Sequence, residues 1–242
     1  MTEPSPAQME APASLAESRT EKKLISVVAT FTWVTGSLFL SAGHLNWTRG
    51  WISMALFVVG TSAVAPIVRY YDAPLLKARA KWRRKDTKPF DKIFLTLYLP
   101  LVSVQPLIGG LDAGRYHWTS MPPGLLYVGV LLFTLSLALI TWVMVVNPFA
   151  ESTVRIQTDR GHTVVMTGPY CFVRHPMYVG IILLFVSNAL IWGSVLALSL
   201  AVLLAILLVW RTSREDRTLR QELAGYGQYA ARTRYRLLPG VW

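Results

Sequence analysis

Long apolar runs separated by short polar, basic stretches dominate the chain. A helix needs about 20 apolar residues to cross a bilayer core, and six runs approach that length: Leu24 to Ala42, Trp51 to Val68, Ile93 to Leu111, Leu125 to Val146, Tyr178 to Trp192 and Val195 to Trp210. The fourth is the cleanest, and the fifth is short for a full crossing. Only Gly193 and Ser194 separate the last two, so they predict a helical hairpin. After the sixth run, Arg211, Arg214, Glu215 and Asp216 open a polar helix that keeps Leu219, Leu223 and Tyr226 on one side. The predicted fold is all-α integral membrane, with about six transmembrane helices, the last two a hairpin, and a cytoplasmic C-terminal helix. Three regions follow: a disordered tail over 1–22, a four-span region over 23–146 and a C-terminal region over 147–242.

Composition agrees with lipid as the main solvent. Of 242 residues, 53% are hydrophobic and only 15% charged, with mean hydropathy +0.40; soluble domains average about 25% charged residues. The net charge of +11 would suggest nucleic acid on a soluble protein. Here the basic residues lie between apolar runs, no nucleic-acid motif accompanies them, and a nucleic-acid partner is not expected. With the N-terminus in the cytoplasm, all of the 24 Lys and Arg residues except Arg49 and Arg115 fall on the cytoplasmic side. The expected topology therefore has both termini inside. The stretch from Asp72 to Lys92 mixes Leu75, Leu76 and Trp82 with many basic residues, which permits a short interfacial helix but suggests no chemistry. Trp47, Trp51, Trp118, Trp192 and Trp210 lie near span ends, where indoles favour the interface.

Cys171 is the sole cysteine, and His44, His117, His162 and His175 are scattered without zinc-ligand spacing, so no catalytic metal is expected. The first twenty residues lack the basic start and apolar core of a signal peptide.

The chain changes character after Asn147-Pro148. Residues Thr153 to Thr158 and His162 to Met166 alternate in polarity around an Asp159-Arg160-Gly161 turn, a pattern that fits a small hairpin. Then comes Gly168-Pro169-Tyr170, a spacer, and Arg174-His175-Pro176-Met177-Tyr178-Val179-Gly180. Pro176 suits a first helical position, which puts Arg174 and His175 at a helix N-terminus, a place suited to an anion. Tyr178 lies one turn in. A basic interfacial loop accounts for these residues equally well on physics alone. Hairpin geometry returns Glu215 and Asp216 to the same side, although an intrahelical Glu215–Arg211 pair explains that acid as simply.

Together these motifs resemble the isoprenylcysteine carboxyl methyltransferase and phospholipid methyltransferase family. The pattern is Gly-Pro-Tyr, Arg-His-Pro-x-Tyr-x-Gly, a hydrophobic hairpin, an acidic pair, and a tail here reading Gly225-Tyr226-Gly227-Gln228-Tyr229 and Leu237-Leu238-Pro239-Gly240. The likeness covers Asn147 to Trp242. One departure is Asp216, where the family usually has a second Glu; Asp is one methylene shorter, which ranks Glu215 above it.

The resemblance implies S-adenosylmethionine as methyl donor and a lipophilic acceptor from the bilayer. It implies catalytic roles for Arg174, His175 and Glu215, and donor binding by Gly168, Pro169, Tyr170, His175, Pro176, Tyr178, Gly180, Glu215 and Asp216. In that reading Glu215 pairs the donor's ammonium, and Arg174, His175 or the helix amides hold its carboxylate or ribose. No Rossmann-type glycine fingerprint occurs. Sterol reductases that use NADPH carry a distantly similar hairpin, and a non-enzymatic scaffold or transporter is a further alternative. Pro176, the Gly-Pro-Tyr run and the acidic pair favour the methyltransferase.

Overall fold

The apolar runs form helices because no water is present in a bilayer core to satisfy open backbone groups. A computed structural model describes residues 32–79 and 86–242. Its helices are α1 (32–42), α2 (Thr48–Arg79), α3 (Pro89–Gly109, continued by π-helical Gly110–Tyr116), α4 (Leu125–Val146), α5 (Pro176–Trp192), α6 (Val195–Glu222) and α7 (Tyr226–Arg232). The expected tail over 1–22 and the start of the first span lie outside the described residues.

Among the described residues, four helical stretches are long and apolar enough to cross a membrane: Thr48–Asp72, Pro89–Tyr116, Leu125–Val146 and Val195–Glu222. The Pro176–Trp192 helix is apolar but shorter. The chain is thus an all-α, multi-pass membrane protein. α2 bends at Asp72, whose backbone leaves helical geometry (φ −150°, ψ 78°) ahead of Pro74. The Asp72 carboxylate accepts from Leu75 N (2.9 Å) and restarts the helix, so part of the expected interfacial helix is the end of α2.

α4 and α5 pack closely along their lengths. Ser136 Oγ donates to Gly180 O (2.8 Å), and a Cβ at Gly180 would stand 2.6 Å from Ile140 Cγ1. α5 ends at Gly193 in left-handed geometry (φ +80°), and Ser194 caps α6 by accepting from Ala197 N (2.9 Å). The two-residue joint thereby makes the expected hairpin. Gln105 of α3 is fully buried and donates to Phe185 O (3.0 Å) and Ala197 O (3.2 Å), tying α3 across both hairpin arms.

Three expectations are corrected. No strand forms among the described residues. Residues 147–167 make an irregular connection with one turn of 3-10 helix at Thr158–Arg160, because Val154 N goes to the Asp91 carboxylate and Val154 O accepts from Lys88 N. The sixth apolar run and the polar helix after it form one continuous α6 of 28 residues. Trp47 and Trp192 are core rather than interfacial residues: both are buried, and Trp192 Nε1 donates to Ser53 Oγ (2.9 Å). Trp51 and Trp118 are exposed.

Candidate active site

The site grows from the start of α5, the last turns of α6, the α4–α5 connection and α7. Thr167 leads into a 3-10 turn at Gly168–Cys171, with Gly168 at φ +60°. This turn buries Pro169 and Tyr170. Asn147 Nδ2 donates to the Tyr170 hydroxyl (2.6 Å), and the Tyr229 hydroxyl donates to Tyr170 O (2.8 Å). Burial raises the pKa values of the Tyr170 and Tyr226 phenols above their ordinary range, and that of Tyr229 to about 12, so all three remain neutral hydroxyls near pH 7.

Pro176 takes the first turn of α5, as the sequence predicts, with His175 preceding it. The backbone amides of Arg174 and His175 donate to Tyr235 O and Arg236 O (both 2.9 Å), so the C-terminal tail occupies the donors that an anion would need. The Arg174 guanidinium is also taken up. Its Nε meets Asp216 Oδ1 at 2.7 Å, Nη1 donates to Thr233 O and Arg234 O (2.7 Å each), and Nη2 donates to Asp216 Oδ2 at 3.3 Å. Asp216 in turn gathers Arg220 Nε and Arg236 Nε (3.2 Å each) and the Tyr226 hydroxyl (2.9 Å). His175 Nε2 lies 3.5 Å from Asp216 Oδ1 and 3.4 Å from the Tyr226 hydroxyl. Arg174 and Asp216 therefore form a buried knot that fixes tail, α5 and α6.

Glu215 points elsewhere. Its carboxylate accepts from the Tyr178 hydroxyl, and the Tyr178 ring lies parallel to that of His175 with centroids 5.8 Å apart. The intrahelical Glu215–Arg211 pair that the spacing permits is not formed. Arg211 instead meets Asp91 of α3, Nε to Oδ1 at 2.8 Å, and donates from Nη2 to Ser152 O (3.0 Å).

These groups line a cleft of about 840 Å³, counting the solvent space of its open mouth. Of the sequence-predicted residues, Tyr170, Arg174, His175, Tyr178 and Glu215 reach its wall. Gly168, Pro169, Pro176 and Gly180 shape the backbone behind it, and Asp216 sits in the knot. The connection 147–165 supplies much of the opposite wall, including Phe149, Glu151, Arg155 and His162. Arg155 is buried among Glu151 (3.0 Å), Asp159 (2.7 Å) and Asp86 (3.1 Å), and the hydrogen bond it donates to Glu151 is the main cause of its raised pKa. Sequence reasoning missed this wall, along with Arg211, Asp91 and Tyr226. The available signal was Asp91, an acid in the mostly basic stretch from Asp72 to Lys92, right at the start of the third span.

Residues 125–225 match the phospholipid methyltransferase family. The matched segment takes in α4, the connecting wall, the 3-10 turn, the α5–α6 hairpin and Glu215. It begins one helix earlier than the likeness read from the sequence and stops before the tail that Arg174 holds. With the apolar helices, this match supports a multi-pass membrane methyltransferase. No curated protein matches the chain. Among the described residues, no three His, Cys, Asp or Glu side chains come together in a metal-holding group.

Proposed function

We propose that the protein is an S-adenosylmethionine-dependent methyltransferase acting on a lipophilic acceptor, with the cleft and both termini on the cytoplasmic side. The observation that carries the reading is the charge arrangement of the cleft. Arg155, Arg174 and Arg211 each have carboxylate partners, whereas the described hydrogen-bond partner of Glu215 is the neutral Tyr178 hydroxyl. A carboxylate in a half-enclosed site gains most from a cation. The aromatic walls of Tyr170, Tyr178 and Tyr226 favour positive charge as well.

When bound, the donor supplies a sulfonium methyl group, whose bonding electrons stay on sulfur as the methyl leaves. The protein's part is positioning: Glu215 holds an ammonium, and the aromatic wall shields the site from water. An in-line arrangement of the reacting atoms supplies much of the acceleration. A carboxylate or thiolate acceptor needs no base. An amine must lose a proton, and His175, beside Asp216, is the base within the site. The basic α2–α3 and α4–α5 connections meet at the cleft end, through Lys88–Val154 and Arg155–Asp86 contacts. Arg49 and Arg115 lie at the opposite end, near Gly193 and Gly43. This distribution supports a cytoplasmic cleft.

Calorimetric titration of the detergent-purified protein with S-adenosylmethionine and, separately, NADPH tests the reading. Saturable binding of the first alone is expected, and binding of NADPH alone hands the case to the reductase. Glu215→Gln and His175→Ala are expected to weaken donor binding in folded protein. Unchanged affinity in both removes the site assignment.

A further inference from the structure

The cleft has a second charged pole that lies outside the signature motifs. Arg211 is buried, and its guanidinium stands 4.3 Å from the centroid of the Phe94 ring and 5.1 Å from that of Tyr178. Asp91, also fully buried, presents one oxygen to Arg211 Nε and the other to Val154 N (2.8 Å each). The Asp91 contact at Nε and the bond from Nη2 to Ser152 O leave Nη1 for a ligand in the cleft that Arg211 lines. Arg174, the guanidinium favoured by the sequence motif, has no comparable reserve, because its described bonds run to Asp216 and to tail carbonyls.

Arg211 and Glu215 are four residues apart on α6 and both face the cleft. That spacing separates their Cβ atoms by about 5–6 Å, a gap that one α-amino-acid group bridges with a contact at each end. A buried guanidinium needs a carboxylate to stay charged in place, and Asp91 provides one from behind without covering the cleft.

We propose that Arg211 and Glu215 form a clamp for the α-amino-acid end of the methyl donor, Arg211 taking the carboxylate and Glu215 the ammonium, and that Asp91 is the positioning residue that holds Arg211 for this role. The inference rests on the S-adenosylmethionine reading above. It places a working part of the site in α3, outside the matched segment. It also gives one acid of the basic stretch a task.

The test compares S-adenosylmethionine with its decarboxylated analogue by calorimetry on the full chain in detergent. The wild type is expected to bind the intact donor about 10- to 100-fold more tightly, the worth of a charge-assisted contact. Arg211→Met alone strands a buried acid, so the paired variant Asp91→Asn/Arg211→Met removes both charges together. In it the preference is expected to collapse while analogue affinity holds. Asp91→Asn alone is expected to reduce the preference several-fold. Equal wild-type affinity for the two compounds overturns the clamp. A preference unchanged in Asp91→Asn, with both affinities lowered alike, overturns the positioning role. Binding of neither compound by the wild type defeats the donor reading itself, and the clamp with it.

Discussion

The two ends of the helical bundle use similar polar residues toward different ends. At the end away from the cleft, Asp112 is fully buried and accepts from Thr119 N (2.8 Å), Thr119 Oγ1 (2.6 Å), Ser194 Oγ (2.5 Å) and Leu196 N (3.3 Å). Arg49 donates to Leu190 O and Ile191 O (3.3 Å each), closing the last turn of α5. These groups act as helix caps, which meets the demand of open helix termini. At the cleft end, Arg174 and Asp216 are used the same way, but Glu215 and Arg211 are only partly engaged. Unspent bonding capacity, more than the mere presence of charge, separates a place that can take a ligand from one that only holds helices together.

The comparison breaks most visibly at Asp216. Asp216→Ala leaves Arg174 buried without its carboxylate and is expected to cost about 3–5 kcal/mol, read as a large drop in thermal midpoint in detergent. Glu215→Gln should leave that midpoint nearly unchanged and affect donor affinity alone. If the two variants behave alike, the division of roles between neighbouring acids is wrong. Asp112→Ala comes next: loss of a buried acceptor that serves several donors should cost about 2–3 kcal/mol, with donor affinity per folded molecule preserved. A fall in that affinity would mean that the ends are coupled. Gly193→Ala forces a side chain into left-handed backbone and should cost about 1–2 kcal/mol, again without effect on binding.

The smallest effect is a pH dependence at the cleft wall. Burial first, and the Arg155 charge second, hold the His162 pKa below its ordinary 6.5. Above that value His162 is neutral whether folded or not and adds no pH dependence. As pH falls below it, the unfolded chain takes up a proton that the folded one resists, and stability declines until the folded pKa is passed. His162→Gln should therefore lose less stability than the wild type between neutral pH and about pH 5. Parallel pH curves for the two proteins would remove His162 from the account.

The helices were legible because run length and terminal residues report directly on them: Pro176 begins α5, and Gly193 and Ser194 turn the hairpin where the apolar pattern breaks. The meeting of Tyr178 with Glu215 was legible from hairpin geometry alone. The connecting wall was not. Its alternation from Thr153 to Thr158 imitates a strand, yet Arg155 serves an ionic cluster and Gln157 donates to Phe149 O (2.7 Å). Nor was the commitment of Arg174, whose partners at Thr233 and Arg234 lie some sixty residues onward. Trp192 reads as an interfacial indole by position, and only its burial and its hydrogen bond to Ser53 place it in the core.

The unbroken course of α6 has one more consequence. From Val195, beside the Asp112 cap, to Glu215 is about 30 Å at 1.5 Å per residue, close to the hydrocarbon thickness of a bilayer. On the proposed reading, the helix works as a ruler, with its zero mark pinned at one face of the bilayer and the donor-binding groups carried at the other. In a thicker membrane those groups sink toward the acyl chains, and in a thinner one they rise into water. Under the proposed function, bilayer thickness then becomes a setting that decides how readily a lipid-borne acceptor and a water-borne donor meet.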